Sequence, residues 1–436
     1  MSTPDTDPTM QHLRAVDQLI GQGALLAAAT QLDEAARAAP GDPRVYLMGA
    51  RMAEAAGRPQ EALAYLRRAA GLSPQWAAPV TELALLLARQ DRHTEALAAA
   101  RQAVALAPDS IDVLHRAIHV AHQTLNPHLA LQWLEQVLRL DPGNASAQLQ
   151  VARDLSQIGE YRQSLAAYAP LVEAYPAHAD IRLGRAKTAI LAGEHAQARQ
   201  DCAALVAGEP DNPTYRFWLE VAHGQVPPTQ PAAMTQALFD GYAPQFDRHL
   251  VEGLQYQVPA RVAALVAARY PDNRLDLLDA GCGTGLLGKH LGRIQGALVG
   301  VDLSPRMVEQ AARLQRYDQL HTGDLLDFLV ATPDAHYDVV AACDVFIYVG
   351  DLTAVIPQAG RAIRPGGHCI FSCEAAQPGE ADLVLRPSTR YAHQLHHVQA
   401  LCTAAGFDDT TFEPATIRVE DGERIEGYIV VARKAA

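Results

Sequence analysis

Four carboxylates recur at intervals of 23, 22 and 20 residues, Asp279, Asp302, Asp324 and Asp344, and the first opens the run Asp279-Ala-Gly281-Cys-Gly283-Thr-Gly285-Leu-Leu-Gly288. An apolar stretch leads into that run and a helix-like pattern leads out, so the glycines mark a strand, a tight loop and a helix start. Glycine serves there because the backbone must turn sharply and approach a ligand that a Cβ would block, while a helix end offers free N–H groups. The chemistry implied is the binding of a nucleoside-type cofactor. The glycines alone leave its identity open, since Gly283-x-Gly285-x-x-Gly288 with Asp302 about 20 residues on also fits a dinucleotide fingerprint. The acids discriminate. A carboxylate at the mouth of the loop, where Asp279 is expected, repels a doubly anionic pyrophosphate and favours an ammonium or sulfonium.

The elements that must position these acids follow from the apolar runs before them. Ala297 to Val301 precedes Asp302, Leu320-His-Thr-Gly precedes Asp324, and Tyr337 to Cys343 precedes Asp344. This is a βα repeat with an acid at the carboxyl end of four successive strands, the edge at which open parallel sheets bind ligands. Beyond it the pattern predicts a helix from Asp351 to Ile363, a strand from His368 to Glu374, a helix from Ala392 to Ala405, and a closing hairpin whose Asp421-Gly422 turn joins strands ending at Val419 and starting at Arg424.

Over residues 232–436 these motifs resemble the class I S-adenosylmethionine-dependent methyltransferases. The resemblance implies a Rossmann-like seven-stranded domain in which the loop of Gly281, Gly283 and Gly285 holds the methionine part of S-adenosylmethionine, Asp302 accepts both ribose hydroxyls, and Asp324 holds the adenine amine. Leu303, Met307 and Leu325 would flank the adenine, and Asp279 and Asp344 would complete the cofactor-binding set. Residues 232–271 resemble a helical lid over the cofactor, with Tyr242 and Phe246 placed to close on one ligand. Methyl transfer to a hydroxyl or ammonium needs a proton acceptor, and a histidine is the usual device near neutral pH. In Arg390-Tyr391-Ala-His393-Gln-Leu-His396-His397 the expected catalytic residues are His393 first and Tyr391 second. No metal site is expected, because His393 and His397 lack a third ligand.

The first half of the chain carries a different signal. After residues 1–8, a loose tail, prolines stand at Pro40, Pro74, Pro108, Pro142, Pro176 and Pro210, every step being 34 residues. Small residues share the period at Ala28, Ala62, Ala96, Ala130, Ser164 and Ala198. This resembles tetratricopeptide repeats. Six repeats and a capping helix are expected over residues 9–225, a proline-rich linker over 226–231, and the methyltransferase domain proper over 272–436. The predicted class is therefore an α-helical solenoid followed by an α/β domain. In this repeat family equivalent first-helix positions stack along the groove wall, so Arg51, His119, Arg153 and Lys187 are expected to form a basic stripe for an acidic partner.

Composition bounds the rest. A net charge of −13, with only Lys187, Lys289 and Lys434 as lysines among 36 basic residues, does not offer the clustered positive surface a nucleic acid needs. No apolar run approaches a membrane span and the polar start lacks an apolar signal core, so no membrane partner and a cytoplasmic location are expected. Six unpaired cysteines read as reduced, buried thiols. Three functions compete: a methyltransferase whose repeats recruit a protein or carried substrate, a small-molecule methyltransferase with a purely structural solenoid, and a non-catalytic cofactor-binding scaffold.

Overall fold

The computed structural model describes residues 7–242, 256–420 and 422–436. It divides into two compact units, residues 1–194 and 195–436.

The first unit is a series of antiparallel helix pairs from Pro8–Gly21 to Ala179–Leu191. The 34-residue columns explain its packing. Ala28, Ala62, Ala96, Ala130 and Ser164 are each fully buried, as are Ala50, Ala84, Ala152 and Ala186 on the first helices, so small side chains let adjacent helices approach closely. Ser164, the one polar member, donates its hydroxyl to Ala152 O at 2.6 Å, which removes the cost of burying it. After each proline the chain turns into the next first helix, and Asp42, Ser110 and Asn144 cap those helices by accepting from backbone N–H groups.

The second unit starts with helices His195–Gly208 and Pro213–Ala222, then a helix Ala232–Tyr242. Its strands are β1 Leu277–Ala280, β2 Leu298–Asp302, β3 Gln319–Thr322, β4 Tyr337–Ala342, β5 Ile363–Ala375, β6 Leu383–Leu385, β7 Tyr391–His393, β8 Phe407–Glu420 and β9 Glu423–Lys434. The parallel order is β3-β2-β1-β4-β5, and antiparallel β9 pairs with β5 on one side and β8 on the other. The chain order therefore reverses between β1 and β4, where such sheets open a binding crevice. Buried aliphatic residues of β1, β4, β5 and β9 fill both faces of the sheet, which is why those strands read as continuous apolar runs. Five cysteines are buried, Cys343 is partly so, and all six are free thiols.

Two expectations shift. The helix placed over Asp351 to Ile363 spans Val355–Ala362, and the one placed from Ala392 begins at Leu395. Tyr391 to His393 instead form β7, which pairs with the end of β5 and with β6, a tertiary pairing that local pattern does not carry. Asp421 of the expected turn lies outside the described residues.

Close helix approach in the solenoid generates a test. A Cβ on Gly184 would run into the hydroxyl and ring of Tyr168, which is 2% exposed and has no room to swing, whereas one on Gly71 would meet nothing. Gly184→Ala is expected to destabilise the protein by about 1–3 kcal/mol and Gly71→Ala to be neutral or slightly stabilising, as measured by urea unfolding.

Candidate functional site

The glycine loop and the acids meet at the carboxyl edge of β1 and β2. Gly281 has a φ of 74° and its Cβ position is filled by Val345, so only glycine fits there. Asp302, partly exposed at the end of β2, binds the loop directly: Oδ2 accepts from Gly283 N at 2.8 Å and Oδ1 from Ser304 N at 2.9 Å. Burial raises its pKa, opposed by those two backbone bonds. The strand, the loop and the following helix are thus tied through one carboxylate.

Asp279 corrects the sequence expectation. It is 1% exposed and sits beneath the loop, not at its open mouth. Its Oδ2 accepts a 2.6 Å bond from the hydroxyl of Tyr317, and burial pushes its pKa up to about 7 against that bond, with Asp302 adding to the rise. Tyr317 was not anticipated. Its ring fills the space left by Gly285, Gly288 and Gly300, each of whose Cβ positions it overlaps or crowds, and its oxygen also accepts from Gly288 N at 3.3 Å. The signal was in those three glycines, which make room for an aromatic ring as well as for a ligand.

Asp324 is exposed at the end of β3 and spends Oδ1 on capping the helix Leu325–Ala331, through Leu326 N and Asp327 N, so Oδ2 is the oxygen left to face a ligand. Leu303 and Leu325 are half-buried near these acids, but Met307 is 1% exposed, inside the core. It therefore offers no free face to an adenine. The helix Ala232–Tyr242 docks beside Asp302: Ser304 donates its hydroxyl to Asp240 at 2.6 Å, and Arg306 donates to Asp240 O at 3.1 Å. Tyr242 is the last residue of that helix, and Phe246 lies outside the described residues. Residues 226–231 are held to the same unit, since Tyr391 donates to Pro227 O at 2.8 Å and Asp351 N to Pro228 O at 2.6 Å.

The expected catalytic pair is not on a substrate face. Tyr391 is fully buried with its hydroxyl committed to Pro227 O. His393 is 1% exposed, its Nε2 lies 2.7 Å from Gly350 O, and its Nδ1 is enclosed without a partner among the described residues. A histidine walled in by its own hydrogen bond acceptor cannot take a proton from a substrate. His393 thus fastens the loop after β4 through Gly350, and Tyr391 fastens residues 226–231 through Pro227. Asp344 stands at that loop's start with a φ of 56°, a strained value for a residue with a Cβ. Ser372 holds it there by donating to Oδ1 and accepting from Asp344 N, both at 2.8 Å, and burial pushes the carboxyl up to about 6. Arginines not anticipated from sequence, Arg390 and Arg418, act on the same carboxyl and lower its pKa. Among the described residues no cluster suited to a metal is present.

On the solenoid, Arg51 pairs with Asp17 at 2.7 Å, its own equivalent one repeat earlier, so the stripe begins neutralised. His119 is exposed, and partial desolvation by its neighbours, followed by the charges of His122 and Arg89, lowers its pKa. Arg153 is exposed and lies close enough to half-buried Lys187 to help depress the lysine's pKa, the larger cause being desolvation.

A family model described as a methyltransferase domain matches residues 278–369, and one described as a tetratricopeptide repeat matches residues 13–75 and 149–213. The ubiquinone biosynthesis O-methyltransferase of Vibrio cholerae is 33% identical over 103 residues, 22% of this chain and 40% of that protein. Its counterpart in Xylella fastidiosa is 27% identical over 148 residues, 32% of this chain and 56% of that protein. The match thus spans about half, or less, of these relatives' length. The solved magnesium protoporphyrin IX methyltransferase from Synechocystis is 19% identical, with a TM-score of 0.36 and coverage of 47% of this chain and 97% of that one. A tetratricopeptide repeat protein from Parabacteroides merdae is 19% identical, with a TM-score of 0.39 and coverage of 54% and 91%. No described helix is long and apolar enough to cross a membrane.

The structural assignment of His393 makes a pH prediction. Burial pushes its pKa from 6.5 down to about 4, so the unfolded chain takes up a proton in that interval that the folded state refuses. Its contribution is full above the unfolded value and is lost as pH falls, at roughly 1.4 kcal/mol per pH unit until the folded value is reached. His393→Gln should flatten the stability profile across that interval, as measured by urea unfolding at a series of pH values. A slope equal to the wild type's would return His393 to an exposed environment.

Proposed function

Because the chain carries a methyltransferase domain behind tetratricopeptide repeats, we propose that it transfers a methyl group from S-adenosylmethionine to an oxygen or nitrogen acceptor on a protein, or on a substrate that a carrier delivers, recruited by the solenoid. The observation that carries this reading is the meeting, at one sheet edge, of a loop that tolerates no Cβ at Gly281 with the partly exposed carboxylate of Asp302.

The residues fit the cofactor by their acceptor chemistry. Asp302 has acceptor capacity beyond its backbone bonds, since an ionised carboxylate offers about four lone-pair sites, and would take the ribose hydroxyls. Oδ2 of Asp324 would take the adenine amine. Asp279, beneath the loop, favours a positive charge above it. S-adenosylmethionine supplies an already electrophilic sulfonium methyl, so the protein has mainly to align an acceptor and exclude water. The helix Ala232–Tyr242, latched through Asp240 and Ser304, supports the exclusion of water near Asp302. With His393 enclosed, Asp344, partly exposed just after β4 at the same sheet edge and bonded to Ser372, is the candidate to hold a proton from the acceptor.

Asp302→Ala should weaken S-adenosylmethionine and S-adenosylhomocysteine together by roughly 2 kcal/mol, about thirtyfold, in titration calorimetry. Tight binding of NAD with no response to S-adenosylhomocysteine would overturn the methyltransferase reading.

For the solenoid, the exposed Arg153 and the half-buried Lys187, one repeat apart with Asp180 acting on the lysine, support an acidic protein or peptide as the partner. Arg51 adds little, since Asp17 neutralises it. The double variant Arg153→Glu, Lys187→Glu should abolish salt-sensitive capture of acidic peptides by the full chain, while cofactor affinity stays at the wild-type value. Unchanged capture and salt dependence would refute the groove assignment.

A further inference from the structure

The phenol of Tyr317 joins both ends of the glycine loop. Asp279 lies in β1, two residues before Gly281, and is 1% exposed. Tyr317 donates its hydroxyl to Oδ2 of Asp279 at 2.6 Å, and the same hydroxyl oxygen accepts at 3.3 Å from Gly288 N, in the helix that follows the loop. The ring itself crowds the Cβ positions of Gly285, Gly288 and Gly300. Its place is fixed from the next residue, since Asp318 N donates to Leu298 O and Asp318 Oδ2 accepts from Leu298 N, both at 2.8 Å, which ties this segment to β2.

A hydrogen bond to a carboxylate favours its charged form and offsets the cost of burying it. An arginine at this place would do so while cancelling the charge, whereas a phenol leaves the carboxylate negative. Burial, followed by the charge of Asp279, holds Tyr317 in its protonated, donating form. The groups that act on Asp279 are Tyr317 and Asp302, and neither is a cation. The sheet edge next to Gly281 therefore holds a negative charge where solvent screens it little.

S-adenosylmethionine and S-adenosylhomocysteine share their nucleoside and their amino-acid end. They differ in the sulfonium, which methyl transfer leaves as a neutral thioether, so a fixed negative charge acts on a difference of one unit in net charge. We propose that Tyr317 is a positioning residue that holds Asp279 ionised, and that the pair makes the site favour the cationic cofactor relative to its neutral spent form. This rests on the methyl-transfer reading and adds to it a residue that sets specificity for the methyl-bearing form.

The test titrates the full chain with S-adenosylmethionine and with S-adenosylhomocysteine by calorimetry and follows the ratio of the two affinities. Tyr317→Phe keeps the ring among the glycines and removes the hydroxyl, and near neutral pH it should weaken S-adenosylmethionine about fivefold more than S-adenosylhomocysteine. Asp279→Asn keeps the side-chain shape and an acceptor for Tyr317, and should shift the ratio the same way. In the wild type the preference should rise with pH between about pH 6 and 8, as Asp279 loses its proton. The other groups that feel Asp279 are the thiols of Cys282 and Cys343 and the phenol of Tyr256, which burial keeps protonated across that range. Asp302 and Asp344 are neighbouring carboxyls whose pKa is also raised by burial, so the share of the rise that Asp279→Asn removes is the share assigned to Asp279. Equal weakening of both ligands by Tyr317→Phe, the mark of a ring that only packs, would overturn the proposal. So would a ratio that does not change with pH in the wild type, or one whose pH profile Asp279→Asn leaves intact. Should Tyr317→Phe fail to fold, those two pH profiles decide. Failure of both ligands to bind the wild type would instead overturn the methyltransferase reading.

Discussion

Asp279, Asp302 and Asp344 end three neighbouring strands, and the architecture of that sheet edge depends on giving each of these crowded carboxylates its donors. Burial drives all three pKa values upward. Each is answered by a different device: Tyr317 for Asp279, the backbone of Gly283 and Ser304 for Asp302, and Ser372 for Asp344. These donors come from the loop after β1, the helix after β2, the segment before β3 and the middle of β5. The acids therefore organise the surrounding chain before any ligand arrives, because an unmet buried carboxylate costs more than the turns needed to satisfy it.

That dependence explains what the sequence made legible. The apolar runs before Asp302 and Asp344 and the glycines after Asp279 are local signals, and they placed β1, β2, β4 and the loop within a residue or two. The solenoid was legible for the same reason, since a 34-residue column such as Ala28 to Ser164 repeats one helix contact, and each member is fully buried. Local period and tertiary contact coincide in a repeat.

Tyr317, His393 and Arg418 were not legible, and one cause unites them. Each acts through a partner distant in the chain: Asp279, Gly350 and Glu374 respectively. His393 in particular stands among other polar residues just before a helix, a context that reads as a solvated face. The pairing of β7 with the end of β5 turns it inward, and no periodicity in eight residues encodes that pairing. The four-aspartate spacing succeeded where the histidine cluster failed because strand ends are fixed by the strands themselves.

Charge is also sorted along the edge. Among the described residues, Asp279 and Asp302 toward β1 and β2 have no arginine partner, whereas toward β5 and β8 Glu374 is matched to Arg418 and Glu420 to Arg390. The first arrangement attracts a cation and the second balances itself. Asp344 stands between the two halves, held in its strained conformation by Ser372.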